Sequence, residues 1–417
     1  MIRRYLQDVL SASLKHFPVV LLLGSRQVGK STLAQSLASD AWPARYLTLD
    51  DRTVLDGALT DPDGFVRGAG APVVIDEVQR APDVLRAIKL AVDRDRTNGR
   101  FLLTGSANIL TLGTVSETLA GRVAVHHLRP FSARELRAAP PSLLLDLLFE
   151  AESAAEILDG LRAASPPADP DATRRFLVHG GYPTPALMEP GPARNTWFES
   201  YRQTYIERDL RDLAQISSLP EFSRLMTTLN LNTAQTLNIA GLSRQLGLPQ
   251  TTLRRYLNLL EQSFQFDALQ PFSTNRAKRL VKTPKLYATD TGMACYLGGA
   301  EDWASLEQQQ RVGPILETWV HAELRKLLDL ATKRTEMYFW RTHAGREVDF
   351  VLERGGKRVG LEVKASASLD SRQLAALRGC REVLGGSWRL GLVLHGGVEA
   401  LALDERTIAV PWPMALG

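Results

Sequence analysis

Eight residues near the amino terminus have the types and the spacing needed to bind phosphate. They are Gly24, Ser25, Arg26, Gln27, Val28, Gly29, Lys30 and Ser31. Glycine at the first and sixth positions lets the backbone turn its N–H groups inward, and a helix starting after the loop adds its positive dipole end. In this pattern Lys30 reaches the β- and γ-phosphates, and the Ser31 hydroxyl binds Mg2+. Together with Thr32, the segment predicts a site for ATP and Mg2+.

The segments around this loop predict a parallel α/β sheet. An apolar run over residues 19–23 comes before the loop, and a helical pattern from Thr32 to Leu37 follows it. Further apolar runs separated by helical patterns lie at 46–49, 72–75, 101–103 and 123–128. Strands that alternate with helices are typical of a parallel sheet with helices on its faces. We therefore expect a nucleotide-binding domain over residues 1–135.

Polar residues at the ends of these strands could complete the chemistry. Asp76 and Glu77 follow an apolar run directly, so Asp76 could hold Mg2+ and Glu77 could orient the attacking water. Thr104 and Ser106 at the next strand end could bind the γ-phosphate or that water, or they could belong to a plain turn. Arg122 could complete the site of a neighbouring subunit, or it could be an ordinary surface charge.

Length and composition indicate a multidomain protein of ordinary solubility. The chain has 417 residues, a net charge of +4 and a pI near 9.0, which permits a polyanionic partner without requiring one. Its two cysteines, Cys295 and Cys380, rule out a disulfide framework. No export signal and no bilayer-spanning apolar run are recognisable. We expect a cytoplasmic protein with no membrane partner.

The middle of the chain predicts a helical lid or linker region over 136–218 and a winged helix-turn-helix over 219–299. Two helical patterns flank Gly247, and the second leaves Thr251, Arg254, Arg255 and Asn258 on its outward face. Residues 251–290 contain seven basic and three acidic residues, and the basic ones include Arg276, Lys278, Arg279 and Lys282. These side chains suit DNA contacts, although such a module can also be a rigid spacer or a subunit contact.

The last segment, 300–417, contains carboxylates that a hairpin would bring together. If a turn at residues 355–356 pairs Arg354 with Lys357, then Asp349 lies opposite Glu362 and Lys364 shares their face. Two carboxylates and a lysine could bind Mg2+ or Mn2+ and stabilise charge on phosphate. Glu317 on a predicted upstream helix could join this set. The alternative is an exposed hairpin with cross-strand charges.

These motifs together resemble a known family. The loop at 24–31, the run that ends in Asp76 and Glu77, the strand end at 104–106 and Gly121-Arg122 are similar to those of prokaryotic AAA-type ATPases. The resemblance extends to the large subset whose ATPase domain precedes a restriction-endonuclease-like domain. It implies a P-loop α/β fold that works as a homo-oligomer, with a hexameric ring as one form. It also implies that Glu317, Asp349, Glu362 and Lys364 form a PD-(D/E)xK nuclease core.

Two functional hypotheses follow for the whole chain. In the first, an ATPase binds and remodels or processes DNA, including branched DNA, and the last domain binds or cuts it. In the second, nucleotide controls an oligomeric switch or a defence or signalling scaffold, and the nuclease-like domain is a binding module. A small-molecule kinase would be supported by the phosphate loop alone.

Overall fold

The computed structural model describes residues 2–106, 119–164, 169–204, 218–273, 283–342, 344–368 and 374–417. It divides into two compact units, one formed by residues 3–130 with 258–265 and the other by 131–257 with 266–417. Four of the residues predicted to contact DNA lie outside the described residues, namely Arg276, Lys278, Arg279 and Lys282. Within the described ranges, no helix is long and apolar enough to cross a membrane.

The first unit is a five-stranded, fully parallel sheet in the order β2-β3-β4-β1-β5. Strand β1, between β4 and β5, consists only of valine and leucine, and all five of its side chains are buried because helices cover both faces. This confirms the α/β fold predicted from the apolar runs. Its elements are α1 (Leu6–His16), β1 (Val19–Leu23), α2 (Lys30–Leu37), β2 (Arg45–Thr48), α3 (Arg52–Thr60), α4 (Pro62–Ala69), β3 (Val73–Asp76), α5 (Asp83–Arg94), β4 (Phe101–Gly105) and β5 (Val123–His127).

The second unit begins with helices and a small antiparallel sheet. Three short strands pair in the order β6-β8-β7. The last residues of α14 group with the first unit. The elements are α6 (Ala133–Leu136), α7 (Leu144–Glu150), α8 (Ala154–Ala164), α9 (Pro170–His179), α10 (Pro183–Ala186), α11 (Pro192–Tyr201), α12 (Leu219–Leu231), β6 (Gln235–Thr236), α13 (Ile239–Leu246), α14 (Gln250–Gln262), β7 (Phe266–Leu269), β8 (Lys285–Ala288), α15 (Thr291–Leu297) and α16 (Trp303–Gln308).

The second unit ends in a mixed sheet of six strands, in the order β13-β14-β12-β11-β10-β9. Its elements are α17 (Val312–Leu330), β9 (Glu336–Arg341), β10 (Glu347–Arg354), β11 (Lys357–Val363), α18 (Ala375–Leu384), β12 (Trp388–His395), β13 (Leu401–Asp404), β14 (Thr407–Pro411) and α19 (Trp412–Leu416).

The hairpin of β10 and β11 has the register expected from the sequence. Arg354 pairs with Lys357 and Phe350 pairs with Leu361. Gly355 and Gly356 form the turn with φ values of 56° and 80°, a left-handed conformation that only glycine adopts without strain. The turn therefore fixes which side chains of the two strands face each other.

The helices α7 and α8 pack against the mixed sheet. The Arg389 guanidinium of β12 donates a hydrogen bond of 2.6 Å to the Leu148 carbonyl of α7. The Arg162 guanidinium of α8 donates one of 2.5 Å to the Ala400 carbonyl beside β13. The first part of the predicted lid region is thus held by the carboxyl-terminal sheet.

Candidate functional site

The phosphate loop joins β1 to α2, and its shape depends on two glycines. A side chain at Gly24 would place its Cβ 2.3 Å from the Leu128 carbonyl oxygen, and Gly29 has a φ of 93°. Helix α2 begins without a side-chain cap, so the N–H groups of its first turn are available to a phosphate. The predicted residues therefore form a cradle that fits the phosphates of a nucleotide.

Lys30 is buried at the base of this loop. Its Nζ donates hydrogen bonds of 3.0 Å and 2.9 Å to the carbonyls of Gly24 and Ser25. Burial lowers the pKa of Lys30 to about 8, although the nearby carboxylates of Glu77 and Asp76 favour its charged form. A negatively charged ligand at the loop would oppose this loss of charge.

Arg4 holds the loop in place from outside the motif, a contact that sequence reasoning missed. Its two terminal nitrogens donate hydrogen bonds of 2.9 Å to the Val28 carbonyl and 2.6 Å to the Arg129 carbonyl. Both acceptors belong to the backbone, so no side-chain pattern could have indicated the pairing.

Asp76 ends β3 within reach of the loop, as predicted. Its carboxylate accepts a hydrogen bond of 2.6 Å from the Tyr46 hydroxyl and another from the Thr104 hydroxyl. Tyr46 also interacts with the Ser31 hydroxyl, so the two predicted Mg2+ ligands, Ser31 and Asp76, share one neighbour. Burial and the Asp76 carboxylate raise the pKa of Tyr46 to about 12, which keeps its hydroxyl protonated as a donor.

Glu77 adopts a strained backbone conformation that is uncommon for a residue with a side chain. Its φ is 58° and its ψ is 44°, in the left-handed region. Its N–H donates a hydrogen bond of 3.1 Å to Thr104 Oγ1. The Gln79 amide donates both to the Glu77 carboxylate and to Ser106 Oγ, the latter at 2.9 Å. The structure thus joins Thr104 and Ser106 to the acidic pair.

Arg122 lies at the opposite end of the sheet from the phosphate loop. It precedes β5, whose first residue pairs with Val19 at the start of β1, whereas the loop follows Leu23 at its end. Five residues of strand separate these edges by about 16 Å. The Arg122 guanidinium binds Asp93 of α5, with a shortest N–O distance of 2.6 Å. Arg122 therefore does not reach a nucleotide held by its own loop.

Two helices flank Gly247 in the segment predicted to be a helix-turn-helix. Helix α13 ends at Gly247, which has a φ of 69°, and α14 begins three residues later. The predicted inward residues of α14 are buried: Leu253, Tyr256, Leu257 and Leu260. The predicted outward residues are exposed: Thr251, Arg254, Arg255 and Asn258. The exposed face of α14 therefore presents two guanidinium groups beside two small polar side chains.

Four carboxylates converge between α17 and the hairpin, and they are called the acidic cluster below: Glu317, Glu347, Asp349 and Glu362. Asp349 accepts a hydrogen bond of 2.8 Å from the Val363 N–H. Glu362 accepts one of 2.7 Å from Lys364 Nζ. The predicted set of Glu317, Asp349, Glu362 and Lys364 is thus brought together, and sequence reasoning missed Glu347.

The acidic cluster contains a lysine that the sequence placed elsewhere. Lys285 of β8, counted above among the basic residues of the helix-turn-helix segment, is buried and binds Glu317 at 2.8 Å as well as Glu347. Tyr287, also of β8, donates a hydrogen bond of 2.6 Å to Glu317. Lys285 is the first residue of a four-residue strand, and its local sequence gives no signal of burial, so only the three-dimensional arrangement reveals it.

Burial and mutual repulsion weaken the acidity of the cluster. Burial, followed by the charge of Asp349, raises the pKa of Glu317 to about 7. Burial, followed by the charge of Glu362, raises the pKa of Asp349 to about 7. The attraction of Glu317, Asp349 and Glu347 outweighs burial at Lys285, so the pKa of this lysine is raised and it is a cation at neutral pH.

This arrangement does not fit the metal ion that the sequence predicts at Asp349 and Glu362. In the part of the chain that the structure describes, no group of three or more His, Cys, Asp and Glu residues is arranged to hold one. The Lys285 ammonium group lies against Glu317 and Glu347, where it supplies the positive charge. No hydrolytic step is therefore derived from this cluster.

Comparison with known families divides the chain into three matched segments. Residues 16–137 match a family described as "AAA domain". Residues 170–304 match "Domain of unknown function (DUF8612)" and residues 312–415 match "Domain of unknown function (DUF4143)". The first match, together with the geometry of the phosphate loop, shows that residues 16–137 form an AAA-type ATPase domain.

Two solved structures are similar to this chain at low identity. The Walker-type ATPase PABY2304 of Pyrococcus abyssi is 16% identical, with a TM-score of 0.41 over 72% of this chain and 96% of that one. AMPPCP-bound DnaA from Aquifex aeolicus is 11% identical, with a TM-score of 0.27 over 61% of this chain and 86% of that one.

Two curated mycobacterial proteins match almost the whole chain. They are the uncharacterized protein Rv2008c of Mycobacterium tuberculosis and the uncharacterized protein Mb2031c of Mycobacterium bovis. Each is 30% identical over 405 residues, which is 96% of this chain and 82% of the relative. This chain therefore belongs to the family of these two mycobacterial proteins.

Proposed function

We propose that this ATPase binds DNA and uses ATP hydrolysis to remodel it. The observation that carries the proposal is the exposed face of α14, where Arg254 and Arg255 stand beside Thr251 and Asn258. Arginine forms charge-assisted hydrogen bonds with phosphates, and small polar side chains can contact phosphates or base edges. A helix that carries both types, placed second in a helix-turn-helix, suits a groove of duplex DNA.

The order of elements around α14 supports a winged helix. A helix, a short strand, the two helices of the motif and two further strands follow one another as α12, β6, α13, α14, β7 and β8. The three strands pair in the order β6-β8-β7, so the strands after α14 form a hairpin. The segment between them in sequence carries Arg276, Lys278, Arg279 and Lys282, which we propose as additional phosphate contacts.

The ATPase cycle in this proposal depends on residues of the first unit. The loop amides from Gly24 to Thr32 and Lys30 bind the phosphates, while Ser31 and Asp76 would hold Mg2+, which neutralises charge on the β- and γ-phosphates. Glu77 orients and activates the attacking water, and its carboxylate is held by the Gln79 amide, which also donates to Ser106. Thr104 positions both acids through its hydroxyl.

Assembly into a homo-oligomer would give Arg122 a role. Because Arg122 is at the sheet edge opposite to the loop, it can approach only a nucleotide bound by another copy. A ring, including a hexameric one, places such an edge against the loop of the next subunit. In that arrangement the guanidinium would leave Asp93 and stabilise charge that develops on the transferred phosphoryl group.

The carboxyl-terminal region is proposed as a nuclease-like module that contacts DNA. Helix α17 brings Glu317 to a hairpin that carries Asp349, Glu362 and Lys364, which is the residue order of a PD-(D/E)xK core. Because the acidic cluster does not fit a metal ion in this arrangement, we assign it no cleavage reaction.

The test compares DNA binding and ATP hydrolysis in matched variants. Fluorescence anisotropy measures the binding constant for linear, forked and four-way DNA over a series of salt concentrations. If each arginine neutralises one phosphate, the slope of log K against log salt concentration should be smaller in magnitude by about 1.8 in R254A/R255A than in the wild type. ATP hydrolysis by the wild type should be stimulated by DNA, and the double variant should lose that stimulation. The control is R224A, which removes an exposed charge from α12. A rate of ATP hydrolysis that none of the DNA forms changes would refute the proposal.

A nucleotide-controlled switch is the second candidate, and the acidic cluster is the observation that favours it. Lys285 of β8 binds Glu317 of α17, so a residue of the middle region occupies the acidic cluster of the nuclease-like module. This candidate predicts that ATP hydrolysis is slow. It also predicts that the protein assembles in response to nucleotide and independently of DNA. The same ATPase assay separates the two functions.

A further inference from the structure

The acidic cluster joins two segments of the chain that match different families. Lys285 comes from the segment 170–304, whereas the four carboxylates come from 312–415. The side chain of Lys285 is only 3% exposed, and its Nζ binds Glu317 at 2.8 Å and also Glu347. A lysine this deeply buried is stable as a cation only beside carboxylates.

Strand β8 directs a second side chain to the same place. Residues 285 and 287 project from one face of the strand because strand side chains alternate. The Tyr287 hydroxyl donates a hydrogen bond of 2.6 Å to Glu317. Its ring stacks on that of His321 in α17, with centroids 4.2 Å apart and an interplanar angle of 3°. The position of Lys285 is therefore fixed by packing as well as by charge.

One carboxylate oxygen of the cluster has no hydrogen bond among the described residues. Glu362 is 5% exposed, and its Oε1 accepts a hydrogen bond of 2.7 Å from Lys364. Its Oε2 is buried and has no hydrogen-bond partner among the described residues. The charge of Glu362 acts on Asp349, which faces it across the hairpin. A buried oxygen without a donor is costly, and a positive ion beside it would remove that cost.

The charges around Lys285 do not leave room for a divalent ion at the same time. Besides Lys285 and Lys364, Arg341 lies 3.5 Å from Glu347. Two cations that compete for Glu317 and Glu347 would repel each other in a buried site of low dielectric constant. The ammonium group and a metal ion are therefore alternatives.

We propose that Lys285 is the resident counter-ion of the acidic cluster and excludes Mg2+ and Mn2+ from it while β8 is in place. The inference goes beyond the proposed function, because it concerns the cluster alone and does not depend on DNA contact by α14. Without the ammonium group, we expect Glu317, Asp349 and Glu362 to move from their present arrangement and close around a divalent ion.

The experiment measures Mn2+ binding by electron paramagnetic resonance with the full chain and without nucleotide. K285M is expected to gain one bound Mn2+ with an affinity at least tenfold above that of the wild type, and K285M/E362Q should lose it again. The control K357M removes an exposed charge from the turn of the same hairpin and should behave like the wild type. A K285M protein with wild-type Mn2+ binding would overturn the proposal.

A second measurement keeps the test independent of how well K285M folds. Thermal unfolding of folded K285M should give a lower melting temperature that Mn2+ raises, whereas Mn2+ should leave the wild type unchanged. If K285M does not fold, wild type and E362Q decide, because the proposal expects them to bind the same amount of Mn2+. One Mn2+ bound by the wild type and lost in E362Q would refute it. DNA binding by α14 is read without Mn2+, so the two proposals fail separately.

Discussion

The burial of Lys30 predicts that ATP binding takes up a proton at alkaline pH. Burial lowers the pKa of this lysine to about 8, from an ordinary value of 10.5. At about pH 8.5 roughly three quarters of the free protein should then carry a neutral Lys30. Bound phosphates favour the ammonium form, so their charge should raise the pKa again. The complex is expected to gain about 0.7 proton at that pH and about 0.1 at pH 7.

Isothermal titration calorimetry measures this uptake directly. The apparent binding enthalpy is recorded in two buffers that differ in ionisation enthalpy, and the slope gives the number of protons gained. At about pH 8.5 the phosphates of ATP are fully ionised, so they contribute little. The matched control is K30R, because arginine stays protonated throughout this range. If K30R retains ATP binding, its proton uptake should vanish.

The result that would refute this reasoning is an uptake below about 0.2 proton for the wild type near pH 8.5. Lys30 would then be charged in the free protein, and the attraction of Glu77 and Asp76 would outweigh its burial. The opposite order is expected, since burial is the largest influence on the pKa of Lys30.

Three further predictions concern catalysis, assembly and packing. E77Q should bind ATP normally and hydrolyse it about 100-fold to 10,000-fold more slowly, and normal turnover in a phosphate-release assay would contradict the role of Glu77. R122A and E77Q should each be inactive alone but active when mixed, because a mixed assembly contains sites with both groups; a mixture as inactive as its parts would exclude a contribution in trans. G181A should lower the free energy of unfolding by about 2 kcal/mol or more, because its Cβ would lie 2.2 Å from the Phe131 carbonyl oxygen. The control G57A, whose Cβ meets nothing within 4 Å inside α3, should raise it by about 0.5–1 kcal/mol, and equal denaturation midpoints for the two variants would refute the contact.

The phosphate site was predictable because its chemistry depends on residues close together in sequence. The spacing of Gly24, Gly29 and Lys30 specifies the loop, and the apolar run before Asp76 places that carboxylate at a strand end. The hairpin register was predictable for a similar reason, since two glycines fix which residues pair. Contacts between distant segments were different. Tyr46 reaches Asp76 because β2 pairs with β3, and strand order cannot be read from apolar runs.

The acidic cluster shows where counting residues along the chain fails. Glu317, Asp349 and Glu362 could be grouped from a helix and a hairpin within 312–363. Lys285 could not be added to this group, because its neighbours in sequence include several basic residues and suggest an exposed side chain. Its burial follows from β8 packing against α17, a contact that only the folded chain defines. The cluster therefore contains an internal counter-ion for Glu317 and Glu347, where the sequence alone predicts a metal site.

The ion pair between Lys285 and Glu317 also limits how this protein can be divided or recombined. A fragment that starts at residue 312 would retain all four carboxylates and lose the lysine that binds two of them. A chimera that takes this segment from a homologue should fold only when the two parent proteins have the same residues at positions 285 and 317. Substitutions at Lys285 and Glu317 are therefore expected to occur together during evolution, although the two residues belong to segments that family comparison treats as separate.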